Sequence, residues 1–286
     1  MTAASPATTP DSEVTVSIVT YNSRQVIGDC LDRLPAGVTV RVYDNASTDG
    51  TAGFIRQAYP QVQVTDGESN LGFGRAHNRN CEAATTPLLL VLNPDCFLTP
   101  GSLDRLVETL NQHPSAAMAG PVLFEHEPPD TTGDDAPPIA QDMLSGACLL
   151  LRRNVFDRIG YFDPGLFLFY EDTDLCLRTQ QAGYQLLLVP QAHATHLIGC
   201  SAPRTFRLEL IRSFHTGWSE AYYRSKHRGR CTVAGAVWRV FSRHVRKLLV
   251  RLLRVSPKSV ESFGRVCGVV SFSMSGQRQA SHNKAA

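Results

Sequence analysis

Leu88-Leu89-Leu90-Val91-Leu92-Asn93-Pro94-Asp95 is the stretch from which the fold can be read. A half-exposed strand would alternate apolar and polar residues. Five aliphatic residues in a row suit a central parallel strand covered on both faces. The run stops at Asn93-Pro94-Asp95. Thr99-Pro100 then starts a helix with proline in its first turn, lined by Leu103, Leu106, Val107 and Leu110. Toward the N-terminus, residues 14–20 form a second buried strand ending in Tyr21-Asn22, and Val26, Ile27, Cys30, Leu31 and Leu34 follow at helical spacing. Residues 38–43 form a strand that stops at Asp44, and the polar turn 45–50 leads into a helix through Tyr59. A short strand at 62–64, a Gly/Asn loop at 67–74 and a helix to about Ala84 complete this half. Strand and helix in strict alternation predict an α/β fold: a doubly wound, mostly parallel sheet with helices on both faces.

After Asp95 the pattern loosens. Residues 125–141 are a Pro/Asp-rich loop, 144–151 return to strand, and 154–159 form a short helix. An aromatic run at 161–170 contains the turn Asp163-Pro164-Gly165; a helix over 171–182 stops at Gly183, and 184–189 form a last strand. There is no internal repeat.

The composition sets the class. With 286 residues, 43% of them hydrophobic, the chain can bury one substantial domain plus an appendage. The net charge of +2 hides an asymmetry: from Pro203 onward there are 17 Lys+Arg against 3 Asp+Glu, and before it 11 against 23. An acidic body with a basic tail predicts an anionic partner for the tail. Between Arg204 and Arg254 an apolar side (Val237, Trp238, Val240, Phe241, Val245, Leu248, Leu249, Leu252, Leu253) is interspersed with Arg239, Arg243, Arg246, Lys247, Arg251 and Arg254. Such helices lie on an anionic membrane surface or pack on the body with a solvated face; no nucleic-acid motif accompanies the charge. No apolar run is long enough to span a bilayer. Residues 1–13, rich in Ala, Thr, Ser and Pro, read as a flexible leader without signal-peptide character. The eight cysteines (Cys30, Cys81, Cys96, Cys148, Cys176, Cys200, Cys231, Cys267) form no C-x-x-C pair and read as reduced core thiols of a cytosolic protein.

In open α/β sheets ligands bind beyond the carboxyl ends of the strands. Three polar clusters fall there: Thr20-Tyr21-Asn22, Asp44-Asn45 and Asn93-Pro94-Asp95. A lone aspartate at a turn is most often a cap, but three clusters on one sheet edge predict a site.

These clusters, together with Asp44-Asn45-Ala46-Ser47-Thr48-Asp49-Gly50-Thr51, Asn70-Leu71-Gly72-Phe73-Gly74 with Asn78, and Glu171-Asp172, resemble glycosyltransferase family 2, especially its rhamnosyltransferase-like members. The resemblance runs from about Val14 to Ser201. It implies a GT-A domain over 14–202, with a nucleotide-binding half at 14–121 and an acceptor-binding half at 122–202, followed by a basic helical extension at 203–286. It implies an inverting hexosyltransferase of polysaccharide or glycolipid synthesis. Such an enzyme moves rhamnose or another hexose from dTDP-rhamnose or a UDP-hexose to a glycan or lipid-linked acceptor. It would be cytoplasmic and peripheral at the inner face of the membrane.

On that resemblance Thr20, Tyr21, Asn22, Asp44 and Asn45 hold the nucleoside, and Asn70, Gly72, Phe73 and Asn78 approach the donor. Asp95 takes Mn²⁺ or Mg²⁺, with Asn93 standing where the usual Asp-x-Asp pattern has its first carboxylate. His196, in an H-x-x-G-x-S segment, is a second ligand or a packed histidine, and His193 competes for the role. Asp172 is the general base, supported by Glu171; alternatively Glu171, Asp172 and Asp174 cap their helix. Gly146 leaves room beneath the sugar. Rival classes are a nucleotidyltransferase, disfavoured by the lack of a Gly-rich phosphate loop, and a non-catalytic sugar-nucleotide or glycan-binding protein.

Overall fold

The computed structural model describes residues 13–127, 136–197, 199, 205–227, 233–253 and 258–276. The leader, the centre of the 125–141 loop, Cys200, Ser201, Arg204, Cys231 and Arg254 lie outside the described residues, as do the side chains of Arg251, Leu252 and Leu253. The chain divides into two compact units, one of residues 1–162 and 175–203, the other of residues 163–174 and 204–286.

The first unit is built on one sheet. Its strands are β1 (Val14–Thr20), β2 (Thr39–Asp44), β3 (Gln63–Asp66), β4 (Leu88–Leu92), β5 (Cys96–Leu98), β6 (Ala116–Phe124), β7 (Ile139–Ala140), β8 (Cys148–Arg152) and β9 (Gln185–His196). The order is β3-β2-β1-β4-β8-β6-β9-β5, with β7 on β9. From β3 to β4 every pairing is parallel; β8 then runs antiparallel between β4 and β6, and β6 and β9 are parallel. The helices of this unit are α1 (Ile27–Asp32), α2 (Thr51–Ala58), α3 (Phe73–Glu82), α4 (Ser102–Gln112), α5 (Arg153–Ile159) and the body of α6 (Glu171–Gln181).

Strand β4 shows why the aliphatic run was decisive. Leu88, Leu90 and Leu92 enter one core with residues of α1, α2 and α4, while Leu89 and Val91 enter the opposite core with residues of α3, α5 and α6. Its neighbour β8 repeats the division, with Cys148 and Leu150 on one side and Leu149 and Leu151 on the other. The period of two along a strand turns an unbroken run into two buried faces. The second face of β1 is polar. Ser17 meets His77 Nδ1 at 2.8 Å and accepts from Asn80 at 3.1 Å, so α3 satisfies the hydroxyl that faces it.

Strands β5 and β6 carry no clear pattern in the sequence. β5 has three residues, and β6 has Pro121 next to a register shift against β9. β9 runs on to His196, beyond the expected end at residue 189, because it pairs with β6 from Gln185 to Thr195 and with β5 over its last three residues.

The second unit contains α7 (Phe206–His227), α8 (Val233–Leu253), α9 (Ser259–Ser271) and the π-helical turn Phe272–Gly276, together with residues 163–174. Leu166, Ala221, Tyr222, Val237, Val240, Val269 and Phe272 form its core.

Candidate active site

Parallel pairing of β1 with β2 puts Thr20 directly opposite Asp44. The Thr20 hydroxyl donates to Asp44 Oδ1 at 2.6 Å; Ser47 adds its hydroxyl to the same oxygen at 2.6 Å and its N–H to Oδ2 at 2.9 Å. Asp44 thus accepts three hydrogen bonds in a buried place, 3% exposed. A carboxylate offers about four lone-pair positions, so one on Oδ2 remains for a further donor. Ser47 is a residue that motif reading passed over. Its hydroxyl also accepts from Asn22 N–H at 2.8 Å, and Asn22 Oδ1 accepts from Thr48 N–H at 2.8 Å, so the two loops lock together. The signal for it is a serine three residues after a strand-ending aspartate, the spacing of a local side-chain turn. Asn22 (φ 54°) and Ala46 (φ 59°) both take left-handed backbone at these strand ends. Tyr21 lies beside them, 36% exposed.

Asn45 clamps the glycine loop. Its amide donates to Gly72 O at 3.0 Å and accepts from Leu71 N–H at 3.0 Å, while Asn70 Oδ1 accepts from Gly72 N–H at 2.8 Å. Gly72 has φ 83° and ψ −171°, a region essentially closed to residues with a Cβ. Phe73 opens α3 and packs edge-on against His77 and Phe162, with ring centroids at 4.4 and 5.6 Å. Asn78 binds the backbone of Phe162 with both ends of its amide, at 2.8 and 3.0 Å, so it anchors the end of the first unit's leading segment. His77, fully buried, is pushed down to about 3 by burial and stays neutral.

At the end of β4, Asn93 N–H donates to Ala147 O at 2.9 Å, and Leu197 N–H to Asp95 O at 3.0 Å. Gly146 is buried in the turn just before β8. The antiparallel pairing of β5 with β9 sets Cys96 opposite His196. This pairing brings His196 Nε2 to 3.6 Å from Asp95 Oδ1 and to 3.4 Å from the Asn93 amide nitrogen. Asp95 is 1% exposed. The rival His193 instead contacts Pro190 O through Nε2 at 2.9 Å and packs on Phe124. The donor set is one carboxylate, one imidazole and one carboxamide, hard and borderline ligands that fit Mn²⁺ or Mg²⁺. Among the described residues no group of three or more His, Cys, Asp and Glu forms a metal cage. So small a set of protein ligands matches a cation that shares its remaining positions with a diphosphate. Beneath this turn the Cys30 thiol donates to Cys96 O at 3.5 Å, and burial pushes Cys30 far up, which keeps it an inert thiol.

Glu171 and Asp172 lie in the second unit, on the first turn of α6. Phe169 (φ 68°) and Tyr170 (φ 70°) precede them, two successive bulky residues in left-handed backbone. Such backbone costs about 1–2 kcal/mol per residue and clusters at functional sites. The three acids of this turn have different surroundings. Asp174 is fully buried and paired with Lys226 and His227, each at 2.7 Å, and Lys226 also reaches Asp163 at 2.6 Å. Glu171 is 5% exposed, and burial, then the adjacent Asp172 carboxylate, push it up to about 8. Asp172 is half-buried and accepts from Thr173 N–H at 2.7 Å.

With this geometry in place, the class of the protein follows. The chain belongs to the family Glycosyl transferase family 2, whose profile matches residues 15–167, and it is a glycosyltransferase of GT-A fold. It is 30% identical over 246 residues to the N-acetylglucosaminyl-diphospho-decaprenol L-rhamnosyltransferase of Mycobacterium tuberculosis, covering 67% of this chain and 80% of that one. Among solved structures it is similar to the mannosyltransferase PcManGT of Pyrobaculum calidifontis, in complex with GDP-Man and Mn²⁺. There the TM-score is 0.59 and the identity 16%, with 90% of this chain and 86% of that chain covered. It is also similar to TarS 1-349 of S. aureus in complex with UDP-GlcNAc, with TM-score 0.53, 16% identity and 89% and 90% coverage.

Proposed function

We propose that this chain is an inverting transferase that moves rhamnose or a related hexose from a nucleoside diphosphate sugar to a hydroxyl of a lipid-linked saccharide. The observation that carries this reading is the pairing of Asp95 with His196 on the sheet edge where the Asp44 network also lies. β1, β2 and β4 are adjacent and parallel, so their carboxyl ends face one way. The open Oδ2 position of Asp44 suits the imide N–H of a thymine or uracil, and the exposed ring of Tyr21 suits stacking on the base. The backbone of Gly72, pinned by Asn45 and Asn70, allows close approach of the donor.

Asp95 and His196, with the Asn93 carbonyl oxygen, would hold a divalent cation. Bound there, the cation would neutralise charge on the departing diphosphate. Asp172 takes the proton of the acceptor hydroxyl as its oxygen forms a bond to the anomeric carbon. The bond from that carbon to the phosphate oxygen breaks, and its electron pair leaves with the nucleoside diphosphate. Burial and the adjacent Asp172 carboxylate favour the protonated form of Glu171, which suits Glu171 to a supporting place and leaves the base role to Asp172.

The relative's decaprenol-linked substrate and the basic chain after Pro203 support a lipid-carried acceptor and a position at the cytoplasmic face of a membrane. Among the described residues no helix is long and apolar enough to cross one. The test is a donor screen by nucleoside diphosphate release with Mn²⁺ or Mg²⁺. Asp172→Asn is expected to lower turnover roughly 10²- to 10⁴-fold while calorimetric donor affinity stays unchanged. Full turnover in that variant would remove Asp172 from the chemistry.

A further inference from the structure

Within the second unit, α7 and α9 meet backbone to backbone. A Cβ on Gly217 would stand 2.1 Å from Arg265 O, and one on Gly268 would stand 2.0 Å from Phe214 O. With one side of α9 fixed this closely, its other side is fixed as well. Phe263 is 53% exposed, Val270 40% and Met274, in the π-helical turn that continues the helix, 80%. Their spacing of i, i+7, i+11 returns to within about 20° of one line on a helix of 3.6 residues per turn. They therefore form a ridge rather than a scatter.

The same spacing recurs on α8. Trp238 (65% exposed) and Leu249 (54% exposed) stand at i and i+11, with half-buried Val245 at i+7. Val237 and Val240 turn into the unit's core with Phe241 packed against it, whereas Val250, about 120° round from Trp238, is 47% exposed. Next to the ridge, about 80–100° further round, Arg239 and Arg246 are exposed; Lys247, also exposed, lies about 180° round, on the opposite side of the helix. Arg243 does not belong to this set, because its guanidinium, with Arg224 and His244, pairs with the buried Glu220 carboxylate.

We propose that the second unit docks on an anionic lipid bilayer. Trp238 and Leu249 of α8 and Phe263, Val270 and Met274 of α9 enter the interfacial layer, and Arg239 and Arg246 meet lipid phosphates. Single exposed apolar residues are ordinary on a soluble surface. Two exposed apolar ridges, one flanked by cations, follow the pattern of interfacial helices. The occupant is chosen by charge: 17 Lys+Arg stand against 3 Asp+Glu after Pro203, and of the acids in the unit Glu220, Asp163 and Asp174 are already paired within it. Such docking would bring the enzyme to a lipid-carried acceptor. It rests on the reading above for its purpose, though not for its geometry.

The test uses the full chain and sedimentation with two vesicle types, pure phosphatidylcholine and phosphatidylcholine with one-third phosphatidylglycerol. Anionic vesicles are expected to bind, and neutral ones at least tenfold less. Replacing Arg239 and Arg246 by Gln is expected to weaken binding about fivefold per charge. Trp238→Ser with Leu249→Ser is expected to weaken it tenfold or more with unchanged circular dichroism. Trp238→Phe is expected to abolish most fluorescence quenching by brominated lipid. Equal binding to both vesicle types, or wild-type binding by the charge and ridge variants, overturns the proposal. So does a dimer in the ultracentrifuge that the ridge variant abolishes, since a second copy would then be the occupant. Asp172→Asn is expected to bind vesicles as wild type, which separates failure of docking from failure of the transferase reading.

Discussion

Glu171 shows how a single buried carboxyl ties chemistry to stability. Its folded value near 8 stands above the ordinary 4.5, so between those values the folded chain holds a proton that the unfolded chain has released. Stability from this group is complete below about 4.5, falls as pH rises and is lost above about 8, with a slope of up to about 1.4 kcal/mol per pH unit. Glu171→Gln is expected to flatten the melting temperature between pH 5 and 8, with the largest gain over wild type at pH 8. A parallel pair of melting curves would show that Glu171 is ionised in the folded protein. His196 belongs to the same scale. Its imidazole is 18% exposed and 3.6 Å from the Asp95 carboxylate. His196→Ala is expected to weaken Mn²⁺-dependent donor affinity by about tenfold to a hundredfold and to leave metal-free nucleoside affinity unchanged. His193→Ala should leave both unchanged, since its ring contacts Pro190 and Phe124.

At the scale of elements, two features decide what could be read from the sequence. β4 was legible because burial on both faces demands an unbroken apolar run, and β1 and β2 because each ends in a polar cluster. β5, β6 and the far half of β9 were not, because they are defined by long-range pairing. Past the bulge between Pro121 and Val122, β9 stays paired with β6 and gains β5 as a second partner. That end of β9 brings His196, rather than His193, beside Asp95, a difference of position that long-range pairing makes and local sequence does not show. Hydroxyl networks were similarly hidden, since Ser47 matters through Asp44 and Asn22 rather than through a motif of its own. The α7–α9 crossing offers an element-scale test. Gly268→Ala would drive a Cβ into Phe214 O, and no side-chain rotamer relieves a backbone clash. A loss of at least about 1–3 kcal/mol is expected, read as earlier urea unfolding and faster proteolysis within 205–276. Unchanged unfolding would mean that the two helices are further apart in solution.

In the whole molecule charge is shared unequally between the two compact units. The acidic residues concentrate in the sheet-bearing unit, and the basic ones in a unit of helices. That residues 163–174 belong with the helices was not legible. Tyr222 and Lys226 of α7 both reach Asp163, and Ser219 donates to Leu168 O, contacts about fifty residues apart in sequence. The segment that carries Glu171 and Asp172 is therefore built into the helical unit.

The bare-backbone crossing of α7 and α9 has one more consequence. Helices cushioned by leucines can slip or roll to shelter an exposed stripe, because side chains have alternative rotamers. Two helices joined at Gly217 and Gly268 have no such slack. Phe263, Val270 and Met274 cannot be turned inward when lipid is absent. Purified into plain buffer, the protein will be sticky, and mild detergent should disperse it.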